Sequence, residues 1–253
     1  MVYFKIIIPN YNNEQWLDKC LSSIFNQTFK DFKVIVIDDM STDNSINIIK
    51  KYPVELIKAN HKVYNGGARN IGIRRNIPSH YTMFIDSDDW LYSNDVLECI
   101  HNKLEEKRVD CLTIQYNCIL KDNELMFTME RNNIHDLVFD QNGACWTKVI
   151  KTCLIKEFPE NTLMEDTVQH INQCNYITTM DTLNKTCIAY NRMNTNALTN
   201  PDKKQSIKWK TSILRVIADL MELWCPNEEC EARRILSLET AKKQVKEGVF
   251  IRW

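Results

Sequence analysis

Tyr81-Thr82-Met83-Phe84-Ile85-Asp86-Ser87-Asp88-Asp89 is an apolar run that stops abruptly in three carboxylates. A short unbroken apolar segment bounded by polar residues reads as a strand covered on both faces. The same pattern stands twice upstream. Tyr3 to Ile8 is apolar and β-branched and stops at Pro9-Asn10-Tyr11-Asn12, and Lys33 to Ile37 stops at Asp38-Asp39. Between these runs lie helical patterns. Trp16, Leu17, Leu21, Ile24 and Phe25 recur at helical spacing over Glu14 to Phe25, with Asn12 or Asn13 as N-cap. A helix is expected over Ile46 to Tyr52, a short strand over Val54 to Ile57, and Gly66-Gly67 before a helix over Ala68 to Arg75. Ser93 caps a further helix through Leu104, and Asp110 to Tyr116 reads as a fifth strand.

Strands alternating with helices over short turns predict an α/β fold with a mostly parallel sheet and helices on both faces. Ligands of such sheets bind beyond the carboxyl ends of the strands. Here those ends carry Asn10-Tyr11-Asn12, Asp38-Asp39 and Asp86-Ser87-Asp88-Asp89, so polar and acidic groups converge on one edge. Carboxylates so close together raise one another's pKa unless a cation intervenes. An oxygen-ligated Mg2+ or Mn2+ meets that need and commonly bridges to substrate phosphates. The competing reading of Asp86, Asp88 and Asp89 is a capping or loop cluster that holds no ligand.

Composition narrows the classes. The 253 residues carry 32 Lys plus Arg against 33 Asp plus Glu, a formal net charge of -1. That balance argues against a general nucleic-acid binder. No apolar run approaches the ~18 residues of a membrane span, and no signal-peptide core is visible, so a cytoplasmic protein is expected. The 10 cysteines are dispersed without metal spacing and read as reduced, mostly buried thiols.

Five blocks in order resemble the family 2 glycosyltransferases of the GT-A fold. They are Ile7 to Asn12, Leu21 to Thr28, Val36 to Asp43, Asn65 to Asn70 and Phe84 to Asp89. Met164-Glu165-Asp166-Thr167 resembles that family's downstream Glu-Asp motif, and Ala189-Tyr190-Asn191-Arg192 its closing Tyr-x-Arg segment. The resemblance covers about residues 3–195. Met40 departs from it, standing where the family often has glycine.

The resemblance implies a GT-A catalytic domain over 1–200, with a nucleotide-binding half over about 1–115 and an acceptor half over about 116–200. It implies an inverting transfer from a UDP-sugar donor to a glycan or polymer hydroxyl, with Mn2+ or Mg2+ as cofactor. Pro9 and Tyr11 would line the base, and Asp39 would accept the base N–H. Asn12, Asn65 and Ser87 would complete the nucleotide-sugar site, with Arg69 near the base or phosphates. Asp88 would be the main metal ligand, with Asp86 at the ribose or metal shell. Asp166 would be the general base. Trp146, Lys148 and Glu165 would border the acceptor pocket, and Tyr190 and Arg192 would close over the diphosphate. The competing readings are structural: a loop aromatic for Tyr11, a salt bridge for Arg69, a helix cap for Asp166 and a core residue for Trp146.

The alternatives are a nucleotide-sugar-binding scaffold without catalysis, a nucleotidyltransferase, and a transferase acting on modified DNA bases of a phage. The nucleotidyltransferase should carry a Gly-rich loop after its first strand, and Pro9-Asn10-Tyr11-Asn12 has none. Residues 201–253 read as a helical segment, Ile207 to Trp224 and Glu228 to Phe250. Its apolar stripe would pack on the domain, join subunits into an oligomer, or touch the inner face of a membrane.

Overall fold

The computed structural model describes residues 1–120, 125–126, 144–160 and 165–195. Its strands are β1 (Val2–Asn10), β2 (Phe32–Asp38), β3 (Glu55–Lys58), β4 (Ser79–Phe84), β5 (Trp90–Leu91), β6 (Cys111–Ile119), β7 (Leu125–Met126), β8 (Lys148–Lys151) and β9 (Met180–Asn191). Its helices are α1 (Glu14–Phe25), α2 (Ser45–Ile49), α3 (Tyr64–Arg74), α4 (Val96–Glu106) and α5 (Glu165–Cys174). The helical tail expected over 201–253 lies outside the described residues, as does most of 121–143.

The described strands form one sheet in the order β3-β2-β1-β4-β8-β6-β9-β5, with β7 paired to β6. The parallel expectation holds for β3, β2, β1 and β4. Beyond them the sheet is mixed: β6 and β9 pair in parallel, and the pairs made by β8, β5 with β9, and β7 with β6 are antiparallel. β8 runs antiparallel between β4 and β6, and β6 pairs β9 rather than β4. Four residues are too few for a periodic signal, so β8 was invisible in the sequence. The result is a mixed sheet flanked by helices.

Phe4, Ile6, Ile7 and Ile8 are fully buried, as are Ile35, Val36 and Ile37 beside them. Parallel strands covered on both faces account for these unbroken apolar runs. α1 buries Leu17, Cys20, Leu21 and Ile24, a stripe at helical spacing. Asn13 is its N-cap but makes no side-chain cap bond. α3 starts at Tyr64, so Gly66 and Gly67 lie in its first turn rather than before it. It packs on β1 and β2. A Cβ on Gly72 would come within 2.5 Å of Ile7 Cγ2 and 3.0 Å of Ile37 Cδ1, so only glycine lets this helix lie so close to the sheet.

Candidate active site

β1 and β2 end side by side, with Asn10 opposite Asp38. Asn10 Nδ2 donates to Asp38 Oδ1 at 2.9 Å and to Ser41 Oγ at 3.2 Å. The next turns are stitched together mainly through the main chain. Asn12 N donates to Ser41 Oγ at 2.9 Å, Thr42 N to Asn12 Oδ1 at 2.7 Å, and Asp39 N to Asn10 O at 2.8 Å. Three non-glycine residues here adopt left-handed backbone: Asn12 (φ 47°), Met40 (φ 64°) and Tyr64 (φ 59°). Such residues cost about 1–3 kcal/mol each and persist only where the surroundings over-determine them. Met40 therefore keeps the glycine-like conformation of its turn, with its side chain exposed.

Asp39 is buried, and the start of α3 fixes its carboxylate. Val63 N donates to Oδ1 at 2.7 Å and Tyr64 N to Oδ2 at 2.9 Å. Lys62 Nζ lies 2.9 Å from Oδ2 and 2.8 Å from the centroid of the Tyr11 ring. Tyr11 itself is 48% exposed. Tyr11 and Asp39 thus meet at Lys62, and Pro9 is buried near the end of β1. Asn65 falls in the first turn of α3.

Asn13 links these turns to the acidic loop after β4. Its Nδ2 donates to Ser87 Oγ at 2.8 Å. Asn194 Nδ2 reaches both Asn13 Oδ1, at 3.4 Å, and Asp88 Oδ2, at 2.7 Å. Burial and the nearby Asp86 charge push the Asp88 carboxyl up to about 6, against the Asn194 hydrogen bond. Burial raises Asp89 as well. Its Oδ1 accepts Asn191 N at 2.8 Å, while its Oδ2 is buried with no partner.

Arg69 is 2% exposed and joins two elements 96 residues apart. Nη2 donates to Asp86 Oδ1 at 2.6 Å and Nη1 to Glu165 Oε1 at 2.7 Å. It is a buried strut, neither a surface pair nor a group open to a base or phosphate. Gly66 permits the joint, since a Cβ there would lie 2.6 Å from Pro159 O and 3.1 Å from Glu165 Cγ. Burial raises Glu165 to about 7 despite the Arg69 charge. Asp166, beside it at the start of α5, is raised by burial and by Asp86, against the pull of Arg69 and Lys148.

Two expectations are corrected. Trp146 is buried, with its ring stacked on Tyr190 at 5.1 Å and edge-on to Tyr116 at 4.8 Å, so its face is taken by the core. Tyr190 lies within β9 and cannot be part of a closing loop, whereas Arg192 is exposed just beyond the strand. Lys148 is buried and donates to Ala144 O at 2.8 Å, near enough to Asp166 to lower its pKa. Asn13, Lys62 and Asn194 were missed. Asn13 looked like a helix cap, and His61-Lys62-Val63 carries no pattern.

Could this edge hold a divalent cation? Asp88 and Asp86 are hard oxygen donors; Arg69 already sits on Asp86 Oδ1, so the demand for positive charge falls on Asp88, which burial and the Asp86 charge push up. No cluster of three or more acidic, His or Cys side chains among the described residues forms a full cage. One or two carboxylates are what Mg2+-type ions use when phosphates and waters complete the shell. The residues fit.

Among solved structures, the Staphylococcus aureus TarS 1-349 structure in complex with UDP-GlcNAc superposes with a TM-score of 0.70 at 20% identity, covering 87% of this chain and 66% of that one. The Pyrobaculum calidifontis mannosyltransferase PcManGT, in complex with GDP-Man and Mn2+, gives 0.64 at 14% identity, covering 96% and 70%. These share the fold. By sequence, glycosyltransferase GlyA of Streptococcus pneumoniae is 32% identical over 163 residues, 60% of this chain and 22% of that protein. The poly(ribitol-phosphate) beta-N-acetylglucosaminyltransferase TarS of S. aureus is 31% identical over 175 residues, 63% and 30%. The chain thus spans less than a third of the length of either curated relative. The pattern of the family described as glycosyl transferase family 2 matches residues 5–161, well over half of the chain, and the chain belongs to that family.

Proposed function

We propose that the protein transfers a sugar from a UDP-sugar to a hydroxyl of a polymer acceptor, of the poly(ribitol-phosphate) kind that several relatives are named for. One observation carries the reading. Tyr11 and Asp39, then Asp86 and Asp88, then Glu165 and Asp166 form one continuous edge, linked through Asn13, Asn194 and Arg69. Tyr11 offers a ring face and Asp39 an acceptor for a base N–H. Asp88, with Asp86, would hold a Mn2+ or Mg2+, which would supply positive charge against the leaving diphosphate.

The residues then divide the work. The acceptor oxygen attacks the anomeric carbon, the bond from that carbon to the diphosphate oxygen breaks, and the electron pair leaves with UDP. The acceptor proton passes to Asp166. Burial raises the Asp166 carboxyl above the usual carboxylate range, and a carboxylate of raised pKa is a better base than an exposed one. Displacement in one step inverts the anomeric centre. Retention by double displacement would need a free carboxylate nucleophile beside the sugar, and Glu165, next to Asp166, is held by Arg69.

The test is UDP release and product formation with UDP-GlcNAc and UDP-glucose, Mn2+ and poly(ribitol-phosphate). Asp166→Asn should lower transfer by about 10²–10⁴-fold while leaving UDP affinity near normal. Full turnover in that variant removes the base assignment. Tight UDP binding without transfer to any acceptor favours a scaffold instead. Of the described cysteines, Cys20, Cys111, Cys145 and Cys187 are buried, Cys99, Cys118 and Cys174 are half-buried and Cys153 is exposed. No described helix is long and apolar enough to cross a membrane.

A further inference from the structure

The Lys62 ammonium occupies the face of Tyr11 on which a nucleobase would stack. It lies 2.8 Å from that ring's centroid and 5.9 Å from the ring of Tyr64. It also lies 2.9 Å from Asp39 Oδ2 and donates to Asp39 O at 3.1 Å. A base cannot stack on that face of Tyr11 while a cation fills the contact distance, so stacking there requires the ammonium to move aside. Asp39 cannot follow. Its carboxylate is clamped by the Val63 and Tyr64 amides, which belong to the backbone of α3.

A carboxylate has about four acceptor positions, of which the two amides and Lys62 use three. Lys62 is the exchangeable partner, because its side chain is 33% exposed on a flexible stem. Once displaced from the ring, it is still tethered beside Asp39 and has three N–H donors to place. The cleft then presents a fixed acceptor, Asp39, next to a mobile cationic donor, Lys62.

We propose that Lys62 is a specificity-determining residue of the nucleotide site, reading a ring N–H flanked by a carbonyl. Uracil carries that edge at N3–H with O4, and guanine carries it at N1–H with O6. Cytosine and adenine present a bare ring nitrogen beside an amino group, which leaves Asp39 facing a lone pair and Lys62 facing N–H donors. This inference rests on the nucleotide site proposed above and deepens it: it adds a second reader of the base to Asp39.

Titration calorimetry of the full chain with UDP, GDP, CDP and ADP at constant Mn2+ tests it. The wild type should favour UDP over CDP, and Lys62→Met should lower that ratio about tenfold, the scale of a hydrogen bond from a charged group. Lys62→Arg keeps the donors and should retain the ratio. GDP against UDP tells which of the two bases the cleft accepts. An unchanged UDP-to-CDP ratio in Lys62→Met overturns the proposal. So does equal tightening of UDP and CDP, which would make Lys62 a mere occupant, and so does loss of the ratio in Lys62→Arg. Wild-type protein that binds no nucleoside diphosphate fails differently: it removes the nucleotide site itself. Circular dichroism and melting of each variant verify folding, and the half-buried loop position of Lys62, outside the hydrophobic core, makes folding the expected result.

Discussion

The two ends of the candidate site are built by different means. At the Tyr11–Asp39 end, main-chain amides hold the side chains, and the stress of the arrangement sits in three left-handed turn residues. At the Asp86–Glu165 end, side chains hold side chains, and the stress sits in buried charge. A site held by backbone survives the loss of one side chain. A buried charge cluster does not, because each member removed leaves another unpaired.

Arg69→Met puts that contrast to its hardest test. It strands Asp86 and Glu165 and should cost about 3–5 kcal/mol in urea unfolding. Asp39→Asn keeps the amide clamp partly fed and should cost under ~2 kcal/mol. Equal losses would erase the distinction between the two ends.

The pH dependence of stability offers a second test, because two carboxylates should act with opposite sign. Asp88 is raised to about 6 by burial and by Asp86. The stability it contributes is present below its unfolded value of ~3.9 and is lost as pH rises through about 6, up to about 2–3 kcal/mol in all. Asp110 is the reverse. Partial burial pushes it up, but Lys151 at 2.8 Å, the Thr178 hydroxyl at 2.6 Å and two backbone amides win and hold it well below the usual range. Its contribution is present above ~3.9 and is lost as pH falls below that value. Urea titrations from pH 3 to 8 should show the first slope shrink in Asp88→Asn, with Asp89, Glu165 and Asp166 keeping the rest, and the second shrink in Asp110→Asn. Added Mn2+ should raise the melting temperature of wild type at neutral pH and leave Asp88→Asn unmoved.

Gly66→Ala presses a methyl group against Pro159 O at the joint between α3 and α5. The expected loss is about 1–3 kcal/mol, measured by thermal unfolding. The smallest effect should come from Asn13→Ala, at about 0.5–1.5 kcal/mol for its bond to Ser87. Nucleotide affinity should then fall while the melt barely moves, which would show that Asn13 aligns the two ends rather than holding them.

This difference also decides what could be read from the chain. Pro9 is the penultimate residue of β1, and Tyr11, Asp39 and Asp88 stand in the turns after β1, β2 and β4, so a run of β-branched and aromatic residues announces them. Arg69 could be found but not understood, because its partner Glu165 lies 96 residues on. Trp146 was misplaced for a similar reason. Its neighbours Tyr116 and Tyr190 come together only when β6 pairs with β9, a register that no local pattern encodes. Lys62 was passed over because a lone lysine in a polar loop has no period, and only the fold brings it against Tyr11.

One short strand carries a burden out of proportion to its length. β8 contributes three paired positions to β4 and three to β6, and in the described sheet it is the only strand between them. It is a zip fastener between the half of the sheet whose turns carry Tyr11 and Asp39 and the half that ends at Asn191. Amide hydrogens of Val149 and Ile150 therefore report whether the molecule opens in one event or in two. Exchange there as slow as in β1 means a single cooperative unit, and faster exchange means that the halves part along this seam before either unravels.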